Sequence, residues 1–151
     1  MRVFNRKGGW SEATPDGYRS GLEEGIAKQL ASAGIGVLYE RNTINYVIPA
    51  SNHRYTPDFV LPNGIIIESK GIFDIPDRKK HRLIKEQYPN LDIRFVFSNP
   101  QQKIHKTSRT TYAAWCEKYG FLYAKKFIPA EWFKEKPHNT DGLNLKKGSK
   151  K

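Results

Sequence analysis

The chain has 151 residues, with 26 lysines and arginines against 15 aspartates and glutamates, and a formal net charge of +11. That length suits one domain burying roughly 70% of its unfolded surface and is short for two. The charge selects a polyanionic partner, nucleic acid ahead of an anionic membrane, and the absence of any apolar run near ~18 residues or of a signal-type start leads to the expectation of a soluble, cytoplasmic protein.

Residues 1–19 combine glycines, the turn sequence Thr14-Pro15-Asp16-Gly17 and the cations Arg2, Arg6, Lys7 and Arg19, and read as a flexible basic arm. Ser20-Gly21-Leu22-Glu23 then matches a capping box, followed by Leu22, Ile26, Leu30 and Ala33 at helical spacing until Gly34. Glu23 in that frame is a capping residue, and Glu24, turned about 100° around the helix, is solvated. Val37–Glu40 and Thr43–Ile48 read as strands. Pro49 interrupts ladder pairing before the polar stretch Ala50–Arg54, so this connection is expected to be a stiff spacer or bridge.

Further along, Pro76 opens a second helix carrying Arg78, Lys79, Lys80, His81, Arg82 and Lys85 before Tyr88-Pro89 ends it. This densest basic cluster is expected to contact phosphates. Ile93–Phe97 reads as a buried strand, and 111–119 as a helix whose Tyr112, Trp115 and Tyr119 face the core. Phe121–Ile128 suits a last strand and Pro129–Phe133 a closing helical turn, with 134–151 a basic tail without structure. The domain proper is therefore set at residues 20–133, and the element order makes it α/β, a mixed sheet flanked by helices.

Cys116 is the single cysteine, which excludes an internal disulfide or a thiolate zinc site and suits a small buried apolar residue. His53, His81, His105 and His138 are scattered without metal-binding spacing, and are assigned to the surface or to DNA.

The chemistry is concentrated between Tyr55 and Lys70. Tyr55–Leu61 and Ile65–Lys70 are β-prone runs separated by Pro62-Asn63-Gly64, a hairpin signal. With all three residues in the loop, Leu61 faces Ile65 and Asp58 lies across from Glu68, their Cβ atoms roughly 4.5–5.5 Å apart. Strand alternation then puts Lys70 on the same face as both carboxylates. Like charges so opposed need a proton or a cation between them, and an all-oxygen pair suits Mg²⁺ or Mn²⁺. An ammonium beside such a pair is what phosphodiester hydrolysis requires. A two-residue Asn63-Gly64 loop remains the competing register, and would turn Asp58 to the opposite face.

The sequences Thr56-Pro57-Asp58-Phe59 and Ile67-Glu68-Ser69-Lys70-Gly71 resemble the PD-(D/E)xK nuclease superfamily. Arg19–Glu23, Tyr46–His53 and Asp77–His81 are more specific and resemble the bacteriophage endonuclease I family, over a span from about residue 16 to Trp132. The resemblance implies a restriction-endonuclease-like fold and an intertwined homodimer that exchanges elements across residues 46–52. It also implies that Glu23, Asp58 and Glu68 hold one or two Mg²⁺ or Mn²⁺ ions, with Lys70 as the catalytic lysine and Glu23 serving the partner's site. The expected activity is resolution of four-way (Holliday) junctions and other branched DNA, with Arg6, Lys7, Arg19, Arg78, Lys79, Lys80, His81, Arg82 and Lys85 along the backbone. A non-catalytic nucleic-acid-binding module and a duplex- or RNA-directed nuclease remain as rivals, and second-shell roles for Glu40 and His53 remain open.

Overall fold

The computed structural model describes residues 21–48 and 51–145. The arm at 1–19, Ser20 of the capping box, Pro49 of the spacer and residues 146–151 lie outside them. Helix α1 (Gly21–Ser32) leads into β1 (Leu38–Tyr39), β2 (Asn42–Ile48), β3 (Ser51–Tyr55), β4 (Phe59–Val60) and β5 (Ile66–Lys70). After these come α2 (Ile75–Gln87), β6 (Ile93–Phe97), α3 (Tyr112–Tyr119), β7 (Tyr123–Lys125), α4 (Ala130–Phe133) and β8 (Leu143–Leu145). The main sheet has the order β1-β4-β5-β6-β7, antiparallel on the β1 side and parallel from β5 to β7. This is the mixed sheet with flanking helices expected of the sequence.

Period-two alternation divides the core in two. Ile66, Phe95 and Phe97 project into a cluster with Phe73, Ile84, Tyr112, Trp115, Cys116 and Phe121. Ile65, Ile67 and Val96 project the other way, onto Ile26 and Leu30 of α1 and onto Ile128 and Trp132. A sheet covered on both faces explains why β6 is buried at every position. Cys116 is fully buried, and desolvation pushes its thiol up to about 12, which leaves it inert. Tyr112 and Trp115 are core residues, as their helical spacing requires.

The hairpin takes the three-residue register. Phe59 pairs with Ile67 and Val60 with Ile66, Leu61 N–H donates to the Ile65 carbonyl at 2.8 Å, and Gly64 stands at φ +90°. The β-prone run 55–61, however, is two elements. Tyr55 ends β3 in a second sheet of order β3-β2-β8, and Pro57-Asp58 forms a bend before β4 starts at Phe59. Proline cannot donate to a ladder, so the chain changes sheets there.

Two expectations are corrected. The polar stretch expected as a spacer is strand from Ser51 onward: β3 pairs antiparallel with β2 from Ile44↔Tyr55 to Ile48↔Ser51. The Gln87 side chain fastens this hairpin to α2 by bonding Val47 N and Val47 O, each at 2.6 Å. Nor is the tail from residue 134 without structure through Leu145. The buried Arg94 guanidinium grips Glu135 at 2.7 and 2.8 Å, His138 N–H donates to the Asn63 carbonyl at 2.7 Å, and β8 pairs with β2. Lysine content reads as solvated tail, but the segment carries its own acid and apolar anchors for sites far away in the chain.

The 138 carbonyl approaches Gly64 so closely that a Cβ there would sit 2.9 Å from it. Gly64→Ala is expected to cost about 1–3 kcal/mol, from the positive φ and this contact together. The drop should be read as a lowered urea midpoint with unchanged slope; an unchanged midpoint would show that the turn is not under this constraint.

Candidate active site

Asp58, held in the bend ahead of β4, is free of the ladder and turns its carboxylate to the neighbouring strand. Its Oδ2 accepts from Ser69 N at 2.9 Å and from Ser69 Oγ at 2.7 Å. Its backbone carbonyl accepts from Glu40 N at 3.1 Å, which draws in the turn between β1 and β2. Glu40 has φ +53° and is buried. Helix α1 brings Glu23 from the other side, so that Glu23, Glu40 and Asp58 each offer a carboxylate oxygen within 4.8 Å of the others. Glu23 thus meets Asp58 at the start of β4. The α1 helix packs Ile26 and Leu30 against β5, and that packing carries Glu23 to the strand ends.

Glu68 and Lys70 share a face of β5. Lys70 Nζ lies 3.4 Å from Glu68 Oε2 and 3.2 Å from Asp77 Oδ1. Asp77 sits in the first turn of α2, whose N-cap Asp74 accepts from Asp77 N at 3.0 Å. The other Glu68 oxygen, Oε1, accepts from the hydroxyl of buried Tyr55 at 2.6 Å.

Electrostatics follow from this crowding. Burial raises the Asp58 carboxyl well above the usual carboxylate range, and the charge of Glu23 with a hydrogen bond to it adds to the rise, against the two Ser69 bonds. Burial and the Asp58 charge lift Glu68 to about 7, despite Lys70, Lys80 and the Tyr55 bond. For Lys70, burial acts downward, but Glu68 and Asp77 outweigh it and hold the ammonium above its ordinary value. Tyr55 is driven well above the tyrosine range, first by burial and then by Glu68, so it remains a protonated donor. Four buried carboxyls against one adjacent lysine form an excess of hard oxygen donors, a set that fits a divalent cation of the magnesium type.

A second acidic group, Asp92, Glu135 and His138, also lies within metal-holding range. Its charge is already matched: Arg94 lies 2.7 Å from both Asp92 and Glu135 and holds Glu135 down at about 2. That cluster is an ion-pair clamp for the C-terminal segment.

The basic helix divides by face. Lys79 and Arg82 are exposed, while Lys80 and Lys85 lie half-buried over the rings of Tyr55 and Phe121. Arg78 and His81 do not join a phosphate-facing row. Arg78 is buried and donates to the Phe73 carbonyl, and His81 is enclosed with its ring 4.9 Å from Tyr55 and 4.8 Å from Phe95. Burial, with Lys80 and Lys70 nearby, depresses the His81 pKa well below the ordinary value, so its ring is neutral. The spacing 78, 81, 84 is one stripe of a helix and marks the inward face, a periodicity hidden by the polarity of the residues. Glu24 pairs with Lys28 at 3.5 Å on the outer side of α1. His53 is exposed and bonds Ser51 at 2.8 Å, outside the carboxylate cluster.

Sequence reasoning did not reach Tyr55, Ser69 or Asp77. Ser69 was legible only as the residue between Glu68 and Lys70, and neither Tyr55 nor Asp77 stands at a spacing that signals contact with β5.

The α/β fold thus gathers buried carboxylates and one lysine where β4 begins and β5 ends. Residues 4–151 match the family model described as phage endonuclease I. The chain is 56% identical over 135 residues to Endonuclease I of Escherichia phage T7, covering 89% of this chain and 91% of that protein. It is 55% identical over 136 residues to Endodeoxyribonuclease 1 of Enterobacteria phage T3, covering 89% and 90%. The chain belongs to the phage endonuclease I family. Among the described residues, no helix is long and apolar enough to cross a membrane.

The raised Glu68 value carries a pH consequence. Its folded pKa of about 7 exceeds the ordinary 4.5, so the folded state binds the extra proton and Glu68 favours folding below about 4.5. That contribution is lost as pH rises through 7. In chelator-treated protein the melting temperature is expected to fall between pH 5 and pH 8, and millimolar Mg²⁺ at pH 8 is expected to restore it. Glu68→Gln should flatten the slope; a slope of the same size in the variant would place the titrating group elsewhere.

Proposed function

We propose that this protein is a DNA endonuclease that resolves four-way junctions and other branched DNA by divalent-metal-dependent hydrolysis of phosphodiester bonds. The observation that carries the reading is the convergence of Glu23, Glu40 and Asp58, with Glu68 close enough to feel the Asp58 charge and paired with Lys70, in a chain of net charge +11. The two phage relatives are named as an endonuclease and an endodeoxyribonuclease, which makes DNA the substrate of choice.

Asp58, Glu68 and Glu23 are the residues that would hold the cation, Mg²⁺ or Mn²⁺, with Glu40 beside them. Such an ion, when bound, lowers the pKa of an attacking water and offsets charge on the scissile phosphate. Ser69 fixes Asp58 through two hydrogen bonds, so the carboxylate need not reorganise as the substrate arrives. Lys70, steadied by Asp77, directs an ammonium at the phosphate or at the water and neutralises charge developing in the transition state. The exposed Lys79 and Arg82 on α2 would follow a DNA backbone.

Branch selectivity is a matter of shape. The exposed cations of α2, together with Arg6, Lys7 and Arg19 of the sequence, would follow backbones whose directions only a junction supplies. Paired cuts require two sites, and hence a homodimer. In an intertwined homodimer the β2–β3 hairpin is a suitable element to exchange between subunits.

Glu68→Ala and Lys70→Ala proteins are expected to bind a synthetic four-way junction in gel shift with wild-type affinity and to cut it at least 10²-fold more slowly. Cutting at the wild-type rate would remove these residues from the chemistry. A linear duplex or an RNA stem cleaved as fast as the junction would favour a nuclease without branch selectivity. Junction affinity should also drop steeply with salt, and Lys79→Ala with Arg82→Ala should reduce the slope of log K against log[salt] by about two.

A further inference from the structure

The strand that ends at Tyr55 does not belong to the sheet that carries Glu68, yet its last side chain reaches across to it. Tyr55 pairs with Ile44 of β2 and is buried in the cluster that also holds Phe73 and Phe95. Its hydroxyl donates to Glu68 Oε1 at 2.6 Å, while Lys70 stands 3.4 Å from Oε2. Both oxygens of one carboxylate are therefore held, one by a cation and the other by a neutral donor.

We propose that Tyr55 is the positioning residue for Glu68, a neutral hydrogen-bond donor that orients this carboxylate toward a divalent cation and ties its orientation to the docking of the β2–β3 hairpin. The proposal rests on the nuclease reading of the site and names a residue that the reading does not use.

The choice of donor matters. A lysine or arginine in this place would neutralise Glu68 and compete with the incoming cation. A phenol fixes the oxygen without cancelling its charge, and each carboxylate oxygen keeps a further lone pair. The ring is itself fixed: His81 meets it edge-on at 4.9 Å and Lys80 lies 5.1 Å from its centroid. With the ring buried, the hydroxyl cannot exchange Glu68 for solvent. Beyond the ring, the hairpin is strapped to α2 by the two Gln87 bonds to Val47, and α2 carries the Asp77 that steadies Lys70. Glu68 and Lys70 thus both take their orientation from elements outside their own strand.

The test is Tyr55→Phe in the full chain, which removes one oxygen and keeps the ring. Mn²⁺ binding to the free protein, followed by the loss of the free-ion electron paramagnetic resonance signal, is expected to weaken about 10-fold. The Mg²⁺ concentration for half-maximal junction cleavage should rise by a similar factor, with junction affinity in gel shift unchanged. Tyr46→Phe, which alters the same hairpin without touching Glu68, should bind Mn²⁺ as the wild type does.

Wild-type Mn²⁺ affinity and Mg²⁺ dependence in Tyr55→Phe would overturn the proposal. So would a lowered metal-free melting temperature with Mn²⁺ affinity intact, because the hydroxyl would then serve stability alone. Wild-type protein that takes up Mn²⁺ but cuts no DNA would fail the nuclease reading while leaving the Mn²⁺ comparison decisive for Tyr55. Absence of Mn²⁺ uptake by the wild type would overturn both.

Discussion

Burial of like charges at the ends of two paired strands is the constraint around which this protein is organised. Carboxylates are normally left in water, and moving several together into a dry interior is costly unless protons, donors or a cation compensate. Asp58, Glu68, Glu23 and Glu40 are all buried, and the compensation is visible in each direction. Ser69 donates twice to Asp58, Tyr55 and Lys70 take the two oxygens of Glu68, and the raised carboxyl values of Asp58 and Glu68 express what is left uncompensated. A site in that condition is prepared to receive positive charge, a property of the arrangement and not of any single residue.

The rest of the fold serves to keep these groups from relaxing apart. The hairpin turn sets the register of β4 on β5, α1 locks Glu23 from one face, and the β2–β3 hairpin delivers Tyr55 from the other. Helix α2 has two duties: its inward stripe of Arg78, His81 and Ile84 anchors it, and Asp77 in its first turn holds Lys70. The C-terminal segment closes the back of the turn, where Arg94 pairs with Glu135 and His138 bonds Asn63. Distances at the site are thus fixed by contacts between segments far apart in sequence. Such contacts give a site rigidity that strand pairing alone does not.

The divided character of α2 bears on how positive charge is used. A row of five basic residues in sequence, 78 to 82, is not a row in space. Arg78 caps a backbone carbonyl and His81 fills an aromatic pocket, while Lys79 and Arg82 remain outside. Charge density counted along a helix therefore overstates the surface it presents, and a cation's availability to a phosphate depends on which stripe it occupies.

Short-range rules made much of the chemistry legible in the amino-acid order. Turn residues at Pro62-Asn63-Gly64 dictate the hairpin register, and period-two alternation puts Glu68 and Lys70 on one face of β5, whereas Asp58 leaves the ladder in the Pro57-Asp58 bend and turns to Ser69. Helix spacing likewise placed Tyr112 and Trp115 in the core. What the order of residues left undecided is everything that depends on the packing of separate elements: the approach of Glu40 through a turn, the reach of Tyr55 from a second sheet, the grip of Asp77 on Lys70, the inward turn of His81, and the capture of the C-terminal segment by Arg94. Neither pattern nor propensity encodes these, because each contact forms only when two surfaces buried for hydrophobic reasons bring polar groups together as a by-product of their fit. Local periodicity determined the hairpin register and the shared face of Glu68 and Lys70; three-dimensional packing decided where Asp58 turns and what surrounds the carboxylates.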